Sequence, residues 1–258
     1  MDVLQDIIND FSVLDEVEAF ALGGSRSTGE ADEKSDYDVY IYVTEEVSEK
    51  KRQTILEKYC SVMEIGNKYW ETEDNCTLTA GIDIDLIYRS LDDFAGGISR
   101  TVDSFEAGTG YTTCMWHNLL TSEIKYDRNG RLSALKEKYT VPYPEQLKTN
   151  IIRKNMNLLS GVLPSYDLQI KKAIVRNDIV SVNHRTAAFL ASYFDVIFAA
   201  NKMTHPGEKR LISICEEKCK ILPEDFRPNL EALLPSLYTG DAVNAIIAGI
   251  VQNLREIL

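Results

Sequence analysis

The sequence predicts an α+β protein, with a sheet-bearing N-terminal domain over residues 1–141 and a C-terminal helical bundle over residues 142–258. Two observations carry this expectation. In the first part, β-branched and aromatic residues alternate with polar ones at the two-residue period of a half-buried strand. After Pro142 and Pro144 that alternation stops, and apolar residues recur at i, i+3 and i+4 nearly to the end.

Taken in order, residues 2–12 place Val3, Leu4, Ile7, Ile8 and Phe11 at helical spacing. "VEAFAL" (17–22) reads as a short strand ending at Gly23, and residues 36–43 as a second strand. On that second strand Tyr37, Val39, Ile41 and Val43 face one way, and Asp36, Asp38, Tyr40 and Tyr42 the other. Residues 45–60 read as a helix, and the acidic aromatic stretch "YWETEDN" (69–75) first as a solvated loop, with attraction of a cationic acceptor as its other reading. "NCTLTAGIDIDLIYRS" reads as two extended segments around Ala80-Gly81, the second from Ile82 to Tyr88. Ser90 caps a helix with acids in its first turn. Residues 111–140 suggest a helix, the strand "SEIKYD", a turn at Asn129-Gly130 and a further helix. Six helical stripes follow: 146–163, 166–177, 178–202, 207–218, 227–237 and 240–258. Asp178 reads first as the cap of the third, with acceptor binding as its other reading.

Composition narrows the function classes. The chain of 258 residues has a formal net charge of −12, which disfavours a long nucleic acid held by its phosphates and suits a small neutral or cationic partner. Its five cysteines include no CxxC pair and read as reduced thiols of a cytoplasmic protein. No apolar run of about 18 residues is present, and the acidic, amphipathic N-terminus does not read as a signal peptide.

The chemistry concentrates in "GGSRSTGEADEKSDYDVYI". Gly24 and Gly29 have the spacing of P-loop glycines, but Glu30-Ala31 stands where that motif needs Lys and then Ser or Thr. What remains is Gly23-Gly24-Ser25 at a strand end, where residues without Cβ let backbone N–H groups approach an anion. Asp36 and Asp38, two residues apart on a strand, point the same way. A third carboxylate comes from Asp83 or Asp85 if the second Asp-x-Asp strand neighbours the first. At about 4 Å, each like-charged pair repels by roughly 4 kcal/mol even at an effective dielectric near 20. A divalent cation with oxygen ligands, Mg²⁺ above all, is the natural counter-charge. Mg²⁺ completes its shell with substrate phosphates, so a phosphate cradle belongs beside the acids.

"GGSRSTGEADEKSDYDVYI" followed by "GIDIDLIYRS" resembles the nucleotidyltransferase superfamily typified by DNA polymerase beta. The layout is most similar to the two-domain bacterial aminoglycoside and lincosamide adenylyltransferases. The resemblance implies a small mixed-sheet catalytic domain, ATP as nucleotide donor and two Mg²⁺ ions. It implies that Asp36, Asp38 and a third acid are catalytic and ligate metal, and that Gly23, Gly24 and Ser25 hold the triphosphate. Asp85 is preferred to Asp83 as that acid because apolar "LIY" follows it directly. Arg26 is a candidate for the phosphates. So is Lys209, a cation at the expected start of a helix, where the dipole disfavours it. The helical domain is expected to close the cleft and bind the acceptor.

The leading expectation is transfer of a nucleoside monophosphate to a hydroxyl of a small acceptor, possibly aminoglycoside-like. The alternatives are a protein-modifying nucleotidyltransferase of the antitoxin kind and a nucleotide-binding protein without turnover. A helical RNA-toxin domain lacks its Arg-x(4–6)-His spacing here, since seven residues separate Arg176 from His184.

Overall fold

The computed structural model describes residues 3–29, 35–239 and 242–258. Residues 30–34, between the glycines and the aspartate pair, and residues 240–241, at the start of the last expected helix, lie outside the described set. The chain forms two compact units. One runs through Ser99 and resumes over Asn118–Val141; the other is Arg100–His117 with Pro142–Leu258.

The first unit opens with α1 (Val3–Ser12), β1 (Val17–Leu22), α2 (Gly24–Thr28), β2 (Tyr37–Val43) and α3 (Glu49–Leu56). Three strands follow, β3 (Cys60–Asn67), β4 (Thr72–Leu78) and β5 (Asp83–Ser90), and then α4 (Leu91–Val102) and α5 (Cys114–Thr121), which are divided between the two units at Ser99/Arg100 and at His117/Asn118. β6 (Glu123–Asp127) and α6 (Arg131–Tyr139) complete it. The six strands make one mixed sheet in the order β3-β4-β5-β2-β1-β6, in which β2 and β5 run parallel and the other neighbours antiparallel. The alternation legible in the sequence sorts its faces. Val39 and Ile41, Ile84, Leu86 and Tyr88, Phe20 and Leu22 point into one core with Leu4, Ile7, Ile8 and Phe11 of α1. Phe11 meets Phe20 edge to face at 6.1 Å. Every residue of β1 is buried, as a central strand covered on both faces requires.

Two expectations about the sheet need correction. The helix expected over 45–60 is only α3, and an unexpected strand, β3, begins at Cys60. β3 is the sheet edge; it exposes Ser61, Val62 and Glu64 and its register shifts twice, so no clean alternation marks it. Its partner β4 takes up most of the stretch expected as a loop, and Tyr69, Trp70 and Glu71 are the turn between them.

The second unit holds α7 (Glu145–Leu159), α8 (Tyr166–Val175), α9 (Ile179–Ala200), α10 (Leu211–Lys218), α11 (Phe226–Thr239) and α12 (Val243–Glu256). From Ser192 to Ala200 every residue of α9 is buried, which makes it the central helix. Its cap is Asp178, which accepts from the Ser181 N–H at 3.0 Å, the first of the two roles considered for it. α10 starts later than expected, so Lys209 and Arg210 precede the helix instead of opening it. Inside this unit the buried Asp195 carboxylate accepts from Thr112 N at 3.0 Å, Thr112 Oγ1 at 2.6 Å and Asn155 Nδ2 at 3.1 Å. Burial raises its pKa to about 6. The five cysteines are free, three buried and two half-buried. Among the described residues, no helix is long and apolar enough to cross a membrane.

Candidate active site

β1 ends where the chain must turn sharply across β2, and the two glycines make that turn sterically feasible. Gly23 N donates to the Asp38 carbonyl at 2.8 Å, which ties the end of β1 to β2. Gly24 has φ +61°, and a Cβ there would sit 1.9 Å from Asp38 Oδ2. At Gly23 a Cβ would meet the Tyr40 ring at 2.4 Å. The backbone thus rests directly on the acid-bearing face of β2, an approach open only to residues without a side chain. Ser25 and Arg26 follow in the single turn α2. Arg26 Nε donates to the Ser35 and Asp36 carbonyls at 2.9 and 3.1 Å, and its guanidinium stacks 3.9 Å from the Tyr37 ring centroid. Arg26 therefore anchors the segment that carries Asp36.

The parallel pairing of β2 with β5 sets Asp38 directly beside Asp85. Asp36, Asp38 and Asp85 each offer an oxygen, and these three atoms lie within 4.8 Å of one another. Asp36 is exposed and the other two are half-buried. Asp83 lies two residues before Asp85, exposed and outside this group, and accepts from Thr77 Oγ1 at 2.8 Å. The donor set is all carboxylate oxygen, as a hard divalent cation prefers. The Gly24 backbone beside it leaves room that any Cβ would fill, so the residues present fit Mg²⁺ with a phosphate-bearing ligand.

Several neighbours on this face carried no signal in the sequence. Asn75 on β4 faces Asp85 and donates to its Oδ1 at 2.8 Å, while Asn67 Nδ2 donates to Asn75 Oδ1 at 2.6 Å. Arg89, four residues along β5 from Asp85, holds both Glu71 oxygens at 2.7 and 2.6 Å and Asn118 Oδ1 at 3.1 Å. Its guanidinium lies 4.2 Å from the Tyr40 ring centroid. Burial pushes the Tyr40 phenol up; Arg89 opposes this and Asp38 adds to it. Glu73 is likewise raised, first by burial and then by the Asp85 and Glu71 carboxylates. The face is thus strongly acidic. Lys209 belongs to the second unit, where it is exposed in the turn before α10.

Residues 4–107 match the family model described as a nucleotidyltransferase domain. Residues 113–211 match one described as a domain of unknown function (DUF4037). No curated protein matches the chain significantly. Similar solved structures include a nucleotidyltransferase-like protein from Exiguobacterium sibiricum 255-15, with TM-score 0.46 and 9% identity over 99% of this chain and 73% of that one. An aminoglycoside 6-adenyltransferase from Bacillus subtilis has TM-score 0.26 and 14% identity over 97% and 89%. The Thermotoga maritima CCA-adding enzyme, complexed with tRNA, has TM-score 0.30 and 10% identity over 99% and 79%. The family match spans the stretch from α1 through the glycine turn to the third aspartate, and this N-terminal part of the chain is a nucleotidyltransferase domain.

Proposed function

We propose that this nucleotidyltransferase transfers AMP from ATP to a hydroxyl of a small-molecule acceptor and releases pyrophosphate. Asp36, Asp38 and Asp85 are the metal ligands and catalytic residues. The observation that carries the reading is the convergence of their three oxygens within 4.8 Å, beside a glycine turn that admits no side chain. Two Mg²⁺ ions bound there supply positive charge to the reacting α-phosphate and to the leaving pyrophosphate.

The chain's own groups do the rest. The backbone N–H groups around Gly23, Gly24 and Ser25, with the Ser25 hydroxyl, cradle the triphosphate. Arg26 orients Asp36 through the Ser35 and Asp36 carbonyls. Asp85 takes the proton of the acceptor hydroxyl. The acceptor oxygen then bonds to the α-phosphorus, and the bond from that phosphorus to the bridging oxygen breaks, its electrons leaving with pyrophosphate. Glu73 near the acids, and the net charge of −12, favour a cationic acceptor of the aminoglycoside kind.

Pyrophosphate release from ATP and Mg²⁺ with a panel of hydroxylated acceptors tests this. The wild type is expected to release pyrophosphate with at least one acceptor. The Asp36→Asn/Asp38→Asn variant should lose on the order of a thousandfold or more, several kcal/mol of barrier. Equal release by the two proteins contradicts the site. Label from ATP appearing only on protein redirects the acceptor class.

A further inference from the structure

Among the three acids, Asp85 is distinguished by how the chain holds it. Asn75 lies directly across from it in the β4–β5 register and gives it a hydrogen bond of 2.8 Å. The Asn75 amide is itself oriented, because Asn67 on β3 donates to its Oδ1 at 2.6 Å. If that amide turned over, its oxygen would face a carboxylate and its NH₂ would face another NH₂. Only one orientation is therefore consistent with both neighbours, and it is the one that presents a donor to Asp85. The relay crosses three strands and all three residues are half-buried, so their side chains are constrained without being sealed from solvent.

The donor's chemistry matters as much as its position. A cation in place of Asn75 would cancel the Asp85 charge and compete with a bound ion. A neutral amide fixes the plane of the carboxylate and leaves its charge in place. It also takes up a lone-pair direction of Oδ1, which favours binding a metal through one oxygen. Mg²⁺ and Mn²⁺ accept single oxygens in a tight octahedron, whereas Ca²⁺ readily takes both oxygens of a carboxylate at longer range.

We infer that Asn75, steadied by Asn67, is a positioning residue that holds Asp85 as a single-oxygen ligand and so biases the acid cluster toward small divalent cations over Ca²⁺. This rests on the metal-site reading above. The test measures Mn²⁺ and Ca²⁺ binding to the full chain by titration calorimetry. It compares wild type, Asp85→Asn, Asn75→Leu and Asn67→Ala, with thermal melting as the check on folding. Asn75→Leu keeps the side chain's approximate size and removes the donor. It should weaken Mn²⁺ about tenfold, within the range for loss of a ligand's hydrogen-bond partner. Ca²⁺ should weaken less, so that the Mn²⁺/Ca²⁺ preference falls. Asn67→Ala should move both in the same direction by about two- to fivefold, and it decides the matter if Asn75→Leu does not fold. A folded variant with unchanged Mn²⁺ affinity and an unchanged ratio overturns the inference while leaving the metal site intact. Failure of the wild type to bind Mn²⁺, or equal binding by Asp85→Asn, overturns the metal reading and this inference together.

Discussion

Asp74 and Asp85 lie on adjacent strands and opposite faces of the same sheet, and the chain treats them in opposite ways. Asp74 is fully buried on the core face and ion-paired with the buried Arg52. It also accepts from Gly66 N at 2.8 Å and Tyr88 Oη at 2.9 Å, and the Arg52 guanidinium lies 4.8 Å from the Tyr88 ring centroid. Burial still outweighs these partners and raises the Asp74 pKa. Asp85, on the other face, is met by a neutral amide and crowded by two further carboxylates. A carboxylate that belongs to the fold is given its own cation. In the cluster that we propose binds an outside cation, Asp85 receives instead a neutral donor that orients it without cancelling its charge.

The comparison can be broken first on the core face, where the expected effect is largest. Arg52→Ala leaves Asp74 as a buried, uncompensated charge and should cost about 3–5 kcal/mol in denaturant unfolding. Asp74→Leu in the same background should recover much of it, because the penalty lies in the orphaned charge and not in the lost pair. If Arg52→Ala melts like the wild type, Asp74 does not depend on its cation and the contrast between the faces fails.

A smaller effect is expected on the acid face. Gly24→Ala drives a Cβ against Asp38 Oδ2 and places a side chain at φ +61°. The backbone strain costs about 1–2 kcal/mol of stability. Displacing Asp38 by even about 1 Å should lower turnover on the order of a hundredfold. Steady-state kinetics and melting of the same variant separate the two. A stability loss without a turnover loss would mean that the glycine turn serves the fold alone.

The sequence carried the acid face well and the core-face pair hardly at all. Gly23-Gly24 and Asp36-x-Asp38 are legible because a side chain at either glycine is sterically excluded and because i and i+2 share a strand face. The choice between Asp83 and Asp85 is not decided by periodicity, since both share a face. It takes the β2–β5 register, which sets Asp38 beside Asp85 and leaves Asp83 beyond the group. Asn67 is not legible because β3 is an irregular edge strand, and without it nothing marks Asn75 as more than a polar residue of β4. Arg52 sits in the polar run "EKKRQTIL", where nothing distinguishes a buried arginine from a solvated one. In the helical unit, periodicity revealed the helices, while Asp195 and His205 are buried polar residues among others that are exposed. Which polar side chains are buried depends on tertiary packing, and no local pattern encodes it.

The central claim is that Asp36, Asp38 and Asp85 repel one another until a cation joins them. Thermal melting of the full chain with and without Mg²⁺, for wild type and Asp36→Asn/Asp38→Asn, tests it most directly. Without Mg²⁺ the double variant should melt roughly 2–4 °C above the wild type, from relief of about 1 kcal/mol of repulsion at this partly exposed site. Mg²⁺ should raise the wild type's midpoint in a concentration-dependent way and leave the variant's unchanged. A variant that melts no higher than the wild type without Mg²⁺, and rises as much with it, would contradict the account.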